Sequence, residues 1–179
     1  MPNICFIDPG LDTGIALFSP FGDFIDCFTV RDVGRLSEYE KQLELFKARH
    51  DVNVAGIEDY VNFGKHRVNA GKVLQQIRVC QDVFREAFFM IQTVQWNSRS
   101  YKESFKKAWA VELFRREFKN GHMRDASLMG SQVFHYIKVN MKKPPIVFIK
   151  EIAETTHKFP NRKALSRMIY EEILSGACR

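Results

Sequence analysis

Nowhere in this chain do apolar residues continue for the eighteen or so positions that a membrane helix needs. No basic segment leads into an apolar core at the N-terminus, so the expectation is a chain without a secretory signal and without a membrane partner. The four cysteines, Cys5, Cys27, Cys80 and Cys178, form no CxxC pair, which argues against a zinc ribbon or a disulfide framework. Three of them fall within apolar patterns and read as reduced core thiols of a cytosolic protein. Internal repeats and low-complexity segments are absent too, which leaves an ordinary globular fold.

What is present supports one domain with a real core: 179 residues, 45% hydrophobic and 13% aromatic. The formal net charge of +6 favours polyanionic partners such as nucleic acid or acidic lipid headgroups, although many basic proteins have no such partner.

Hydrophobic periodicity places strands at 3–8, at about Thr13 to Ser19 and near Phe24 to Val30, with "PFGDF" as a hairpin turn. Leu36, Tyr39, Leu43 and Phe46 recur at helical spacing and predict a helix over 36–49. "VNVAGIEDY" reads as a fourth strand, and Val73, Leu74, Ile77, Cys80, Val83, Phe84 and Phe88 as the stripe of a helix over about 68–87. "FMIQTVQW" reads as a further strand. Helices follow at about 99–119 and 123–139, separated by Asn120-Gly121 as C-cap and stop. Beyond Pro144-Pro145 come a β-prone "IVFIK" and a last helix over about 161–174. This order argues for a mixed sheet with helices on its faces.

Acids recur where these elements end. Asp8 closes the first strand and Glu58 the fourth, and a crossover helix readily brings two such strands side by side. Neighbouring carboxylates repel unless one takes a proton or a cation lies between them. In "GHMRDAS", His122 and Asp125 have the spacing that shares one helix face, and Ala126, Ser127 and Gly130 are small enough for a close approach to a sheet. Three carboxylates and an imidazole form an oxygen-rich donor set that suits Mg²⁺ or Mn²⁺. Each residue also has a plainer reading. Asp8 before Pro9-Gly10 can be a turn former, Glu58 beside Asp59 a solvated strand end, Asp125 a complement to the helix dipole, and His122 a surface residue. The ordered set on these element types favours the metal site over the separate readings.

The segments "FIDPGLDTGIALF", "AGIEDYVNF" and "HMRDA" resemble, in order and spacing, the active-site segments of RuvC-type Holliday junction resolvases of the RNase H-like superfamily. The most specific part is Asp8-Pro9-Gly10 followed by Thr13-Gly14, and the likeness covers about residues 3–140. The resemblance implies an α/β, RNase H-like fold with a mixed five-stranded sheet flanked by helices. Residues 1–140 would form the nuclease domain and 141–179 a C-terminal extension packed on it, in a compact, divergent member of the kind that phages encode. It implies a homodimer that cuts four-way DNA junctions symmetrically in the cytoplasm of a bacterium or phage-infected host, leaving 5′-phosphate and 3′-hydroxyl ends. Carried over residue by residue, Asp8, Glu58, His122 and Asp125 would be the catalytic metal ligands for two Mg²⁺ ions, with Mn²⁺ able to substitute. Asp8 would bridge the ions, and some members have Asp where this chain has His122.

Basic residues mark the expected DNA surface. Lys65, His66, Arg67 and Lys72 follow Glu58, with Tyr60 and Phe63 as candidates for the aromatic wedge that the family inserts at the branch point. Arg99, Lys102, Lys106 and Lys107 cluster at helical spacing; a solvated basic face is the plain reading, and the resemblance favours DNA contact for Lys102 and Lys106. Three rivals remain at this point: an RNase H-like nuclease acting on flaps, RNA or RNA–DNA hybrid, half of an actin-like kinase, and an inactive DNA-binding scaffold. The short length and the role of "HMRDA" count against the kinase, and the complete acid set against the scaffold.

Overall fold

The computed structural model describes residues 1–31, 34–59, 70–84, 89–92 and 118–140. Its elements, in order, are β1 (Asn3–Asp8), β2 (Asp12–Phe18), β3 (Phe24–Arg31), α1 (Leu36–Arg49), β4 (Val52–Asp59), α2 (Ala70–Val83), β5 (Phe89–Gln92) and α3 (Gly121–Asn140). The strands form one mixed sheet in the order β3-β2-β1-β4-β5. β1, β2 and β3 are an antiparallel meander, whereas β4 lies parallel to β1 and β5 parallel to β4.

Short turns explain the meander. Between β2 and β3 the Ser19 hydroxyl accepts from the backbone N–H of Phe21 and Asp23, at 3.2 and 3.1 Å. Gly22 closes this turn at φ +83, a conformation that costs glycine little because it has no Cβ. The parallel pairing needs a crossover instead, and α1 supplies it. α1 stops at His50, after which Asp51 adopts a left-handed φ of 49. The amide side chain of Asn3 donates to the His50 carbonyl at 2.9 Å and the Asn3 backbone N–H to the Asp51 carbonyl at 2.8 Å. The start of β1 is thereby pinned to the start of β4.

Alternation along β1 divides its side chains between two covered faces. Cys5 and Ile7, with Ile15 and Leu17 of β2, pack under α1 and α2 against Tyr39, Leu43, Phe46, Cys80, Val83 and Phe84. On the other face Phe6 meets Phe18 and Phe134 edge-on, at ring separations of 5.7 and 5.6 Å. α3 lies close there because Gly130 has no side chain; a Cβ would collide with the Phe18 ring.

Several sequence expectations change. Asn120-Gly121 marks a helix start: residues 118–120 are not helical and α3 begins at Gly121, while the helix expected to stop there lies, up to 117, outside the described residues. Asparagine serves either end of a helix, and here its side chain found an N–H to cap. Leu74 leaves the stripe of α2 and is 46% exposed, while Val73, Ile77, Cys80 and Val83 are buried as that stripe requires. β5 is described over Phe89–Gln92 only. The helices expected at 99–119 (up to 117) and 161–174, "IVFIK", and the extension 141–179 lie outside the described residues. Cys5 and Cys80 are buried free thiols and Cys27 is half-buried. Burial, with the nearby Cys80 adding to it, pushes Cys5 well above its ordinary range, and burial pushes Cys80 up to about 12. Both are packing groups rather than nucleophiles. Among the described residues no helix is long and apolar enough to cross a membrane.

Candidate active site

The site begins with the turn after β1. Ile7 pairs with Ile57 as the last pair of the parallel β1–β4 ladder, so Asp8 and Glu58, the next residue of each strand, lie side by side toward one end of the sheet. This juxtaposition is the one that the strand-end acids suggested. It is a statement about backbone position, since the side chain of Glu58 lies outside the description.

α3 brings the next group. Asn120 accepts from the Met123 backbone N–H at 2.8 Å through its side-chain oxygen, and its amide nitrogen donates to the Thr29 hydroxyl of β3 at 3.0 Å. One side chain therefore both caps the helix and ties its start to the sheet. Ser127 donates to the Met123 carbonyl at 2.7 Å, one turn further along. The first turn then rests on two glycines. A Cβ at Gly14 would collide with the backbone of His122, and one at Gly10 with the His122 ring. These glycines do more than turn the chain: they clear the space in which His122 sits.

The result is a direct contact between His122 and Asp8. Nδ1 of His122 lies 2.8 Å from Oδ2 of Asp8, the carboxylate being 8% and the imidazole 41% exposed. A buried carboxylate needs hydrogen bonds or a cation, and the Nδ1–H tautomer or the imidazolium supplies one. Fixing Nδ1 on Asp8 leaves Nε2 for a second partner. Asp125, also in the first turns of α3, accepts from the Arg124 guanidinium at 3.0 Å through Oδ1. Among the described residues no group of three or more His, Cys, Asp or Glu side chains is arranged to hold a metal ion. Asp8 and His122 are brought together; Glu58 is adjacent by backbone register.

Tyr60, Phe63, Lys65, Arg67, Lys102 and Lys106 lie outside the described residues. The sequence reading missed Asn120 as an anchor and Thr13 as a link to the far side of the sheet. Buried Thr13 shares a hydrogen bond of 2.8 Å with the Tyr39 hydroxyl, which also lies 3.2 Å from the Cys80 sulfur. An Asn directly before the helical run was the available signal for the first of these.

No protein-family model matches the sequence, and no curated protein matches it either. Solved structures do. The chain superposes on RuvC of Thermus thermophilus in complex with a Holliday junction substrate with a TM-score of 0.56 and 14% identity, over 80% of this chain and 99% of that one. A second Thermus thermophilus RuvC structure matches with a TM-score of 0.54 and 14% identity, over 79% of this chain and 99% of that one. The fold is RuvC-like. In this RuvC-like fold, Asp8 stands at the end of the central strand and His122 in the first turn of the helix that crosses it.

Proposed function

We propose that this protein is a divalent-metal-dependent endonuclease that resolves four-way DNA junctions. The observation that carries the reading is the buried carboxylate of Asp8, met by His122 at 2.8 Å and flanked in register by Glu58, at one end of a RuvC-like sheet. The donor chemistry fits a hard cation: carboxylates and one imidazole, with two of the groups converging from separate elements. Asp8, Glu58, His122 and Asp125 would hold the metal, Mg²⁺ or Mn²⁺. Bound there, a divalent ion activates water and stabilises the charge that develops on the leaving oxygen.

The chain's own residues do the rest. Asp8 fixes the tautomer and orientation of His122, so that Nε2 presents one defined lone pair or proton. Gly10 faces the His122 ring and Gly14 its backbone, and this close approach restricts the movement of the imidazole. The basic segments after Glu58 and around Lys102 would position the phosphodiester by charge. Two sites related by a two-fold axis would nick opposite strands, which is the reason for proposing a homodimer.

The test gives the purified protein a synthetic four-way junction, a flap, an RNA–DNA hybrid and a linear duplex, with Mg²⁺ or Mn²⁺. Paired nicks in the junction with 5′-phosphate ends are expected. Equal cutting of the linear duplex, or preferential cutting of the hybrid, would overturn the resolvase reading. Asp8→Asn is expected to bring junction cleavage to background while junction binding and thermal unfolding persist. Loss of binding together with folding would make Asp8 a structural residue.

A further inference from the structure

Arg124 and Asp125 are neighbours in α3, and neighbours on a helix point about 100° apart and do not ordinarily meet. Here they do: Nε of Arg124 donates to Oδ1 of Asp125 at 3.0 Å. The long side chain folds back over the first turn to make this contact, and a Cβ at Gly121 would lie 3.8 Å from its Nη2. A guanidinium thus rests on a carboxylate that the proposed site needs for its metal, in the same turn as His122. Both partners are part-exposed, 41% for Arg124 and 30% for Asp125, so the pair contributes little and is easily exchanged.

A divalent ion on Oδ1 and a guanidinium 3.0 Å from the same atom would repel. Metal binding at Asp125 therefore displaces Arg124. The displaced guanidinium keeps its charge at every working pH and offers N–H groups in the fork that matches a phosphate. Other basic residues stand close by. Lys119 is exposed just before α3. Arg31 is exposed at the end of β3, the strand to which the bond from Asn120 to Thr29 ties the start of α3. Thr29 and Arg31 share a face of the sheet by alternation. Asp12 lies across the ladder from Arg31 and offsets part of this charge.

We propose that Arg124 is a phosphate-binding residue held in reserve. Asp125 keeps it until a divalent ion takes the carboxylate, and Arg124 then pairs with a phosphate of the bound DNA strand. Through this exchange metal and DNA each favour the binding of the other, by the same factor. The inference rests on the reading of Asp125 as a metal ligand in a nuclease. It adds a substrate contact carried by α3 itself, apart from the basic segments after Glu58 and around Lys102.

Two titrations of the full chain test this. In the first, Mn²⁺ alone is titrated into the wild type and Arg124→Met and followed by calorimetry. Removing the competing charge is expected to tighten Mn²⁺ binding roughly tenfold. Equal or weaker binding in Arg124→Met, or no Mn²⁺ binding to either protein, overturns the exchange. In the second, a synthetic four-way junction is titrated in EDTA, which prevents metal-dependent cutting. Asp125→Ala releases Arg124 and is expected to bind the junction roughly tenfold more tightly than the wild type, with the salt slope raised by about one. Adding Arg124→Met to Asp125→Ala is expected to remove that gain, whereas Arg124→Met alone changes metal-free binding little. A gain that persists in the double variant comes from the lost acid alone and overturns the phosphate contact. Thermal unfolding of Arg124→Met is expected to match the wild type, because the exposed pair adds little. Arg124→Gln repeats both titrations with a polar side chain and is expected to give the same changes. Junction cleavage by the wild type separates the two readings. A wild type that cuts nothing yet shows both changes keeps the exchange and loses the nuclease; one that cuts the junction while both changes fail keeps the nuclease and loses the role of Arg124.

Discussion

The two faces of the sheet solve the same packing problem with opposite means. Under α1 and α2 the interface is filled by large side chains, Tyr39, Leu43, Phe46 and Phe84 among them. Under α3 the space nearest the site is emptied instead, where Gly14 faces the His122 backbone; at the other end of the sheet Gly130 makes room for the Phe18 ring. A filled interface tolerates small shifts of its helix, because apolar contact has no direction. An interface of glycine against backbone does not. The polar pair His122–Asp8 stands on the side where the helix position is set most tightly.

That contrast can be broken from the α3 side first. Gly14→Ala puts a Cβ into the His122 backbone, and overpacking of this kind costs about 1–3 kcal/mol. Because the displaced atoms belong to the turn that carries His122, junction cleavage is expected to fall to near background in a protein that still folds. Gly71→Ala in α2 is the counterpart: a Cβ there meets nothing within 4 Å, so unchanged cleavage and equal or slightly higher stability are expected. Thermal unfolding and cleavage of both variants check the comparison, and equal effects would remove it.

Asn120→Ala is expected next in size. It removes the cap on Met123 N–H and the tie to Thr29, with a stability loss of about 1 kcal/mol. Cleavage should fall by more than that loss accounts for, since the start of α3 is released from β3. Tyr39→Phe on the other face removes a hydroxyl shared with Thr13 and close to Cys80. A stability loss of about 1–2 kcal/mol measured by urea unfolding is expected, with cleavage per folded molecule retained.

The smallest effect concerns acid. His50 stacks near Phe28 and Phe46, each ring 4.7 Å away, and burial, followed by the charge of Arg49, lowers its pKa from the ordinary 6.5. The folded protein therefore binds this proton less readily than the unfolded chain does. The contribution is complete above pH 6.5 and is lost as pH falls through the unfolded value toward the lower folded one. His50→Phe should flatten the decline of the unfolding midpoint as pH falls below 6.5. An unchanged pH profile would mean that His50 is equally protonated in both states.

Much of this molecule was legible before any coordinates. The stripe Tyr39, Leu43 and Phe46 marked α1 over Leu36–Arg49, because burial of one helix face imposes the 3.6-residue period directly on the sequence. The β1 strand and the strand-end position of Asp8 were equally readable, as was the placing of the Asp8 and Glu58 strands side by side through a crossover. The service of Asn120 at the start of α3 was not legible, because capping chemistry is shared by both helix ends and the bonds to Met123 and Thr29 form only in the fold. Leu74 was misread because a stripe wider than its partner surface looks, in one dimension, like a buried one.

The sequence by itself therefore determined the order and kind of the described elements and which side chains carry cation-ligating atoms, since periodicity and donor chemistry are local properties. The tertiary structure alone decided which of those residues meet. His122 is far from Asp8 in the chain, and their contact at 2.8 Å exists because glycines at 10 and 14 admit the first turn of α3 to the end of β1. A cleft between α1 and α2 was likewise invisible in the sequence, because it depends on how two helices lie beside each other. Contacts between distant segments depend on the space that other residues leave open, and a linear pattern does not encode that space residue by residue.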